Sequence, residues 1–355
     1  MSRIDDHGGW TGVLGSLVAG VDLTPAQTRA ALTSILEGEA TDAQIAGFIV
    51  ALGMKGGSVP ELSGLVDAML AAAAPLDLPE GVIDIVGSGG APTRRRHALS
   101  VSTMAAVVAA AAGAKVCKHG SVRASSSAGS FDTLLALGVN IDLDGASVRR
   151  CVDDVGIGFA FAKAFHAALR HAGPVRSELG VPTTFNFLGP LSHPGQVTRQ
   201  VVGTSDAVMQ PRMAGVLASR GSVHALVVRG DDGLDEITTT DVSRAYEVRD
   251  GEVVRVFEID PAALGIRRVH REDLVGGTPE DNARITKAIF GGHDTGARHD
   301  IVALNAGAGL YVAGLVDDLA TGFAACRAAI ADGRAAATLD ALVAFTNKAA
   351  EDPGA

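Results

Sequence analysis

The sequence contains few aromatic residues, few cysteines and no long apolar run. Phe, Trp and Tyr make up 4% of the 355 residues. Because 47% of the residues are hydrophobic, a core can still be built from Ala, Val, Leu and Ile, and a wholly disordered chain is excluded. Cys117, Cys151 and Cys326 are far apart and form no Cys-x-x-Cys pair, which argues against a disulfide framework or a cysteine metal cluster.

We expect neither an export signal nor a membrane-spanning segment, and basic residues are not in excess. The apolar stretch 104–112 is too short to cross a bilayer, and Asp5 and Asp6 stand where a secretory signal would be basic. We therefore expect a cytoplasmic protein. The net charge of −10 repels phosphate backbones, so nucleic acid is not expected as a partner.

Residues 1–80 are predicted to form a small helical domain. Three segments share the same pattern: a Ser or Thr that can cap a helix N-terminus, followed by apolar residues at a spacing near 3.6. They begin at Thr24, Thr41 and Ser58, and the first of them stops at Gly38. Three helices joined by short loops indicate a helical bundle.

Residues 81–355 are predicted to form a larger α/β domain. The β-rich run 82–86 is followed by a glycine loop and a helical pattern, and this alternation recurs along the chain. It favours a mixed, mainly parallel sheet. The stretch 180–195 interrupts the alternation, and part of 166–190 is expected to join the helical domain.

The first candidate site is a glycine loop. Gly87, Gly89 and Gly90 follow the first strand, and Ser102 and Thr103 stand at the start of the next helix. Glycines let backbone N–H groups approach an anion closely, and a helix N-terminus adds unpaired donors. The spacing fits neither a Rossmann nor a Walker motif. The loop is therefore a phosphate site or a plain glycine turn.

A second polar loop spans residues 118–130. It carries Lys118, His119 and several hydroxyl groups, which suit an anion with many oxygens; a polar surface loop is the alternative. Residues 81–125 contain six Lys and Arg against a single acidic residue. A positive segment within an acidic chain indicates where a phosphorylated ligand binds.

A third candidate is a loop of carboxylates that follows a later strand. Asp231, Asp232, Asp235 and Glu236 offer oxygen ligands of the kind that Mg²⁺ prefers. Taken alone, the loop is better explained as a solvated acidic turn. Beside two loops suited to phosphate, the metal interpretation is favoured.

Arg176 is the fourth candidate. It follows a Gly-Pro turn, with His166 and His171 upstream, and a guanidinium held by a fixed turn can bind a carboxylate through two hydrogen bonds. The alternative, which the spacing alone favours, is a surface arginine paired with Glu178.

These four blocks, in this order, resemble the anthranilate phosphoribosyltransferase family, which has the class IV phosphoribosyltransferase fold. The resemblance covers nearly the whole chain and rests on the motifs DIVGSGG, VSTMAAVVAAAAGAKVCKHG, DTLLALGV, VGIGFAFA, GVPTTFNFLGPLSHP and GDDGLDEITTT. It implies a homodimer formed through the helical domains. It also implies Mg²⁺-dependent transfer of the phosphoribosyl group from phosphoribosyl pyrophosphate to the amine of anthranilate, in tryptophan biosynthesis.

The resemblance further implies roles for individual residues. The donor phosphoribosyl pyrophosphate would be bound by Gly87, Gly89, Gly90, Ser100, Ser102, Thr103, Lys118, Ser125, Ser126 and Ser130. The acceptor would be bound by Gly87, His119, Ser121, His166 and Arg176, with Arg176 near its carboxylate. The metal would be held by Ser102, Asp235 and Glu236. No general base is assigned, because an aniline-type amine is neutral near pH 7.

Two loops depart from the family pattern. The first reads GSGGAP where the family has GTGGDG, so that Ala91 replaces an aspartate, and Arg94–Arg96 lengthen the stretch before Ser100, which stands where an asparagine is expected. The second reads KHGSVR where the family has KHGNR. Two alternatives therefore stay open: a paralogue with another acceptor or donor, and a non-catalytic binding protein of the same fold.

Overall fold

The computed structural model describes residues 3–88, 99–122 and 130–351. The helices α1 to α15 are Gly9–Val18, Pro25–Leu36, Asp42–Lys55, Val59–Ala71, Val101–Ala111, Ser130–Ala136, Gly145–Val155, Ala162–Phe165, Gly173–Leu179, Leu188–Leu191, Met209–Ser219, Pro279–Phe290, Ala297–Ala313, Leu319–Ala331 and Arg334–Glu351. The strands β1 to β7 are Ile83–Gly87, Val116–Gly120, Ile157–Phe161, Arg199–Gly203, His224–Gly230, Ser243–Arg249 and Glu252–Ile259. No helix in these ranges is long and apolar enough to cross a membrane.

The three helices predicted from their N-caps are present as α2, α3 and α4. Thr24 and Gln27 form a reciprocal capping box at the start of α2, in which each side chain accepts from the backbone N–H of the other residue. Thr41 and Gln44 repeat this arrangement at α3. The additional helix α1 precedes them.

The strands form one sheet in the order β3-β2-β1-β4-β5-β6-β7. The first five strands of this order are parallel, whereas β6 and β7 add an antiparallel hairpin at the edge. The predicted mixed, mainly parallel sheet is therefore confirmed. The hairpin turns at Asp250 and Gly251, which have φ values of 48° and 81°, as a tight Asp-Gly turn requires.

The strand order places a topological switch point between β1 and β4. From β1 the chain first adds β2 and β3 on one side, and then returns to place β4 on the other side of β1. In open α/β sheets, ligands bind beyond the carboxyl ends of the strands at such a point. Here those ends are Gly87 and Gly203, which are paired in register.

Each face of the sheet is covered by helices, and successive side chains along a strand face opposite cores. Val201 and Leu226 belong to the core shared with α5 and α13, whereas Val202 and Val227 belong to the core shared with the N-terminal helices. Helix α9 and the short helix Thr184–Phe187 pack against α3. The domain division at residue 80, with part of 166–190 joining the helical part, stays a prediction.

Candidate active site

The acidic loop after β5 packs directly against the switch point. A Cβ atom at Gly87 would lie 2.6 Å from Oδ2 of Asp235, and one at Gly203 would lie 1.7 Å from the carbonyl oxygen of Asp235. Only glycine allows this approach at either position. The glycines at the ends of β1 and β4 thus bring a carboxylate to the place where a ligand of this fold is expected.

Two of the four predicted carboxylates hold the loop itself. The Asp232 side chain is buried and accepts from Leu234 N–H at 3.1 Å and from the hydroxyls of Thr238 and Thr240 at 2.8 and 2.6 Å. Asp231 pairs at 2.9 Å with Arg229. Asp232 and Asp231 thus help to hold the loop in place.

Lys118 lies on β2 and is 1% exposed. Its Nζ donates to the carbonyl oxygen of Ile85 at 2.7 Å. Burial lowers the pKa of Lys118, while the carboxylates of Asp84, Glu236 and Asp235 act to raise it.

Asp84 is the buried carboxylate beneath these strand ends. Its Oδ1 accepts from the backbone N–H of His119 at 3.2 Å. Burial raises the pKa of Asp84 to about 7, and the charge of Lys118 opposes that rise. Sequence reasoning did not single out Asp84 as a site residue, although an aspartate inside an apolar strand was the available signal.

The predicted hydroxyl residues meet at the N-terminus of α5. Ser100 is the N-cap residue, and its hydroxyl lies 2.7 Å from that of Thr133 on α6. Thr103 is buried, and its hydroxyl donates to the carbonyl oxygen of Ser130 at 3.4 Å. These two hydroxyl groups hold α5 against α6, while Ser102 is half-buried on the first turn.

The second predicted loop is described only at its two ends. The hydroxyl of Ser130 donates to the carbonyl oxygen of Ser121 at 3.4 Å, which joins these ends. Ser121 itself is exposed. The remaining predicted site residues lie outside the described residues: Gly89, Gly90, Ser125 and Ser126, together with Ala91 and Arg94–Arg96.

Three buried imidazoles lie beside the end of β2. The ring centre of His119 is 5.2 Å from that of His166 and 5.7 Å from that of His193. Nε2 of His166 lies 2.9 Å from the carbonyl oxygen of Ser192, and Nε2 of His193 lies 2.9 Å from that of Cys117. Nε2 of His119 is buried and has no hydrogen-bond partner among the described residues.

All three imidazoles are kept uncharged near neutral pH. Burial lowers the pKa of His119 well below its ordinary value and that of His193 to about 4; it also lowers the pKa of His166. Neutral rings can accept or donate a hydrogen bond without adding charge. His193 was not among the predicted site residues, although it stands inside the motif GVPTTFNFLGPLSHP.

Arg176 lies on α9, and the preceding Gly-Pro pair begins this helix rather than forming a separate turn. The guanidinium carbon lies 5.8 Å from the ring centre of Phe185, and burial lowers the pKa of Arg176. Within the described ranges, no ion pair joins Arg176 to Glu178, which removes the support for that alternative. Arg176 is half-buried.

The carboxylates of the acidic loop fit a metal ion that is shared with a substrate. Among the described residues no group of three or more His, Cys, Asp or Glu side chains could hold a metal by itself. Mg²⁺, however, is usually held by one or two carboxylates together with waters and substrate phosphates. Asp235 and Glu236 are a pair of carboxylates of that kind.

Comparison with known proteins gives the class to which this fold and site belong. Residues 79–336 match the model of the glycosyl transferase family α/β domain, and residues 11–73 match that of the glycosyl transferase family helical bundle domain. The chain is therefore a member of this glycosyl transferase family.

Individual relatives narrow this assignment. The anthranilate phosphoribosyltransferase of Nocardioides sp. is 50% identical over 95% of this chain and 98% of that protein; that of Thermobifida fusca is 47% identical over 94% and 96%. The crystal structure of the Thermus thermophilus enzyme aligns with a TM-score of 0.88 at 37% identity, covering 94% of this chain and 99% of that one. A Saccharomyces cerevisiae enzyme in complex with PRPP and Mg aligns with a TM-score of 0.86 at 25% identity, covering 96% and 98%. The chain belongs to the anthranilate phosphoribosyltransferase family, as the resemblance predicted.

Proposed function

We propose that the chain transfers the phosphoribosyl group of phosphoribosyl pyrophosphate to the amine of anthranilate, with Mg²⁺, in tryptophan biosynthesis. The observation that carries the proposal is the contact of Asp235 with Gly87 and Gly203 at the switch point. It brings a carboxylate to the ends of β1 and β4, and Lys118 bonds to β1 at Ile85, two residues before Gly87. Pyrophosphate complexed with a divalent cation is bound by carboxylates that hold the metal and by cations that pair with the phosphate oxygens.

The donor side would work mainly by electrostatics. Backbone N–H groups at the N-terminus of α5 and the cationic Lys118 would bind the phosphate oxygens, and Asp235, Glu236 and Ser102 would hold Mg²⁺. Bound there, Mg²⁺ would neutralise negative charge on the leaving pyrophosphate. These groups would favour departure of pyrophosphate as positive charge develops on the ribose.

The acceptor side would bind an aromatic acid and orient its amine. Arg176 would bind the carboxylate of the acceptor, and the neutral rings of His119 and His166 would form an uncharged wall beside it. Because the amine is neutral, it would attack without a strong base. The contribution of this side would therefore be correct positioning of the amine.

We also propose a homodimer formed through the N-terminal helices, in the cytoplasm. Four apolar side chains on or beside α1 and α3 are exposed: Val18, Val21, Val50 and Met54. Exposed apolar side chains grouped on one set of helices are typical of an interface. The division into domains of residues 1–80 and 81–355 belongs to this proposal.

The proposal is tested by measuring pyrophosphate release in the presence of phosphoribosyl pyrophosphate, anthranilate and Mg²⁺. We expect turnover that requires all three components. Asp235→Asn should raise the Mg²⁺ concentration at half-maximal rate about 10- to 100-fold. Asp231→Asn is the matched control, because it alters a carboxylate of the same loop that is paired with Arg229. Absence of turnover, together with no thermal shift on adding donor and Mg²⁺, would contradict the proposal.

A further inference from the structure

Helix α13 carries a buried asparagine that faces the acidic loop. Asn305 is 2% exposed. Its side-chain oxygen accepts from the N–H of Ile237 at 3.0 Å, and its side-chain nitrogen donates to the carbonyl oxygen of Ile237 at 2.9 Å. The same nitrogen also donates to the carbonyl oxygen of Ile301, four residues earlier in the helix, at 2.9 Å.

The side-chain amide of Asn305 therefore forms the pair of hydrogen bonds with the backbone of Ile237 that a neighbouring strand would form. It pairs with both backbone polar groups of one residue, and its one oxygen and two N–H groups are all used. Ile237 is 0% exposed, so water cannot replace either bond. An aspartate at position 305 would lose both donors, and an alanine would leave both groups of Ile237 unpaired.

Ile237 directly follows the two predicted metal ligands in the sequence. Ile237 is bonded to Glu236, and Asp235 is one residue further back. On its other side, the loop abuts Gly87 and Gly203 through the side chain and carbonyl oxygen of Asp235. The segment 235–237 is thus held at both ends: Asp235 contacts the ends of β1 and β4, and Ile237 is hydrogen-bonded to Asn305 on α13.

We propose that Asn305 is a positioning residue that fixes the Asp235–Glu236 carboxylates for Mg²⁺ through the backbone of Ile237; this inference rests on the proposed function. The side chain of Asn305 bonds to the backbone of Ile237 and Ile301, so its effect on the metal would pass through Ile237. Residues that orient metal ligands typically change metal affinity about 10- to 100-fold when they are replaced. A merely structural asparagine would change only stability.

Asn347 provides a control that shares the two donated bonds of Asn305, to a carbonyl four residues earlier and to a carbonyl of a distant loop. Its side-chain nitrogen donates at 2.8 Å to the carbonyl oxygen of Val343, four residues earlier in α15, and at 2.8 Å to that of Gly138. It differs in being exposed and in holding a loop without predicted metal ligands. Asn347→Ala therefore removes the same kind of bond away from the site.

The experiment titrates Mg²⁺ together with pyrophosphate into the wild-type protein, Asn305→Ala, Asn305→Ser and Asn347→Ala by calorimetry. Kinetic measurements on the same proteins give KM for each substrate. We expect both Asn305 variants to weaken metal–pyrophosphate binding and to raise KM for the donor about 10- to 100-fold, with KM for the acceptor unchanged. Asn305→Ser retains a hydroxyl and serves if the alanine variant does not fold. Asn347→Ala should bind and turn over as the wild type does.

Two failures can be told apart. If the wild type is active but the Asn305 variants bind metal–pyrophosphate as tightly as it does, the positioning role is wrong, whatever their stability. If the wild type neither releases pyrophosphate nor binds it with Mg²⁺, the proposed function itself is wrong.

Discussion

Asp235 lies so close to Gly87 that a single added carbon atom would come 2.6 Å from its carboxylate oxygen. Two segments separated by about 150 residues in sequence are therefore fitted to one another at the candidate site. This contact joins the predicted anion loop to the predicted metal loop. Replacing Gly87 should therefore have a measurable effect on the metal loop.

Replacing the glycine that ends β1 should be milder than replacing the glycine that ends β4. In Gly87→Ala the new methyl group meets a side chain that can rotate, so the protein should fold but need about tenfold more Mg²⁺ for half-maximal rate. In Gly203→Ala the methyl group meets the backbone oxygen of Asp235 at 1.7 Å, which should lower the free energy of unfolding by about 3 kcal/mol. Chemical denaturation and Mg²⁺ titration of the rate measure both effects.

Gly15→Ala is the control for this pair. Gly15 is inside α1, and no described residue outside the adjacent backbone of that helix comes within 4 Å of a Cβ placed there. We expect its free energy of unfolding to rise by about 0.5–1 kcal/mol, because alanine favours a helix over glycine. Equal stability of the wild type and Gly203→Ala would show that the loop does not abut β4 as described.

Local signals in the sequence predicted part of the fold. The N-cap of α2 and the glycine that ends β1 are readable because their partners lie within a few residues. The β6–β7 hairpin was not predicted, although Asp250-Gly251 is a strong turn signal. The pairing of β1 with β4 could not be predicted, because Gly87 and Gly203 are brought together by the packing of many other segments.

The candidate site was predicted by residue type rather than by arrangement. The four carboxylates of the acidic loop look alike in sequence, and only the hydroxyls of Thr238 and Thr240 mark Asp232 as structural. Asn305 is about 70 residues from the loop that it holds, so no spacing rule could connect them. His193 was missed because its role depends on a contact across the fold with His119.

Arg176→Gln should weaken binding of the acceptor alone. Loss of charge-assisted hydrogen bonds to a carboxylate costs about 1.5–3 kcal/mol, which corresponds to a rise in KM for anthranilate of about 10- to 150-fold. KM for phosphoribosyl pyrophosphate should not change. The control is Arg170→Gln, since Arg170 is exposed and donates to the carbonyl oxygen of Ala167, three residues earlier. A larger effect on the donor KM than on the acceptor KM would contradict the assignment of Arg176 to the acceptor.

Glu247 should give the protein a component of stability that is lost in acid. It is 1% exposed and accepts from Tyr311 at 2.8 Å, from Arg249 at 2.8 Å and from Arg255. Burial by itself would raise the pKa of Glu247, but these hydrogen bonds lower it from 4.5 to about 2. The stabilisation is therefore complete above pH 4.5 and disappears as the pH falls towards 2.

Glu247→Gln tests this dependence. The pKa shift corresponds to about 3 kcal/mol, and because both guanidiniums are about half exposed, solvent reduces the effect to about 2 kcal/mol. Denaturation at several pH values between 7 and 3 should show that the wild type exceeds the variant by this amount at pH 7, with the gap narrowing below pH 4.5. Glu258→Gln is the control, because Glu258 is exposed and lies 3.7 Å from Arg244, so its removal should have little effect at any pH. A gap between wild type and Glu247→Gln that stays constant down to pH 3 would mean that the variant loses packing rather than a charge interaction.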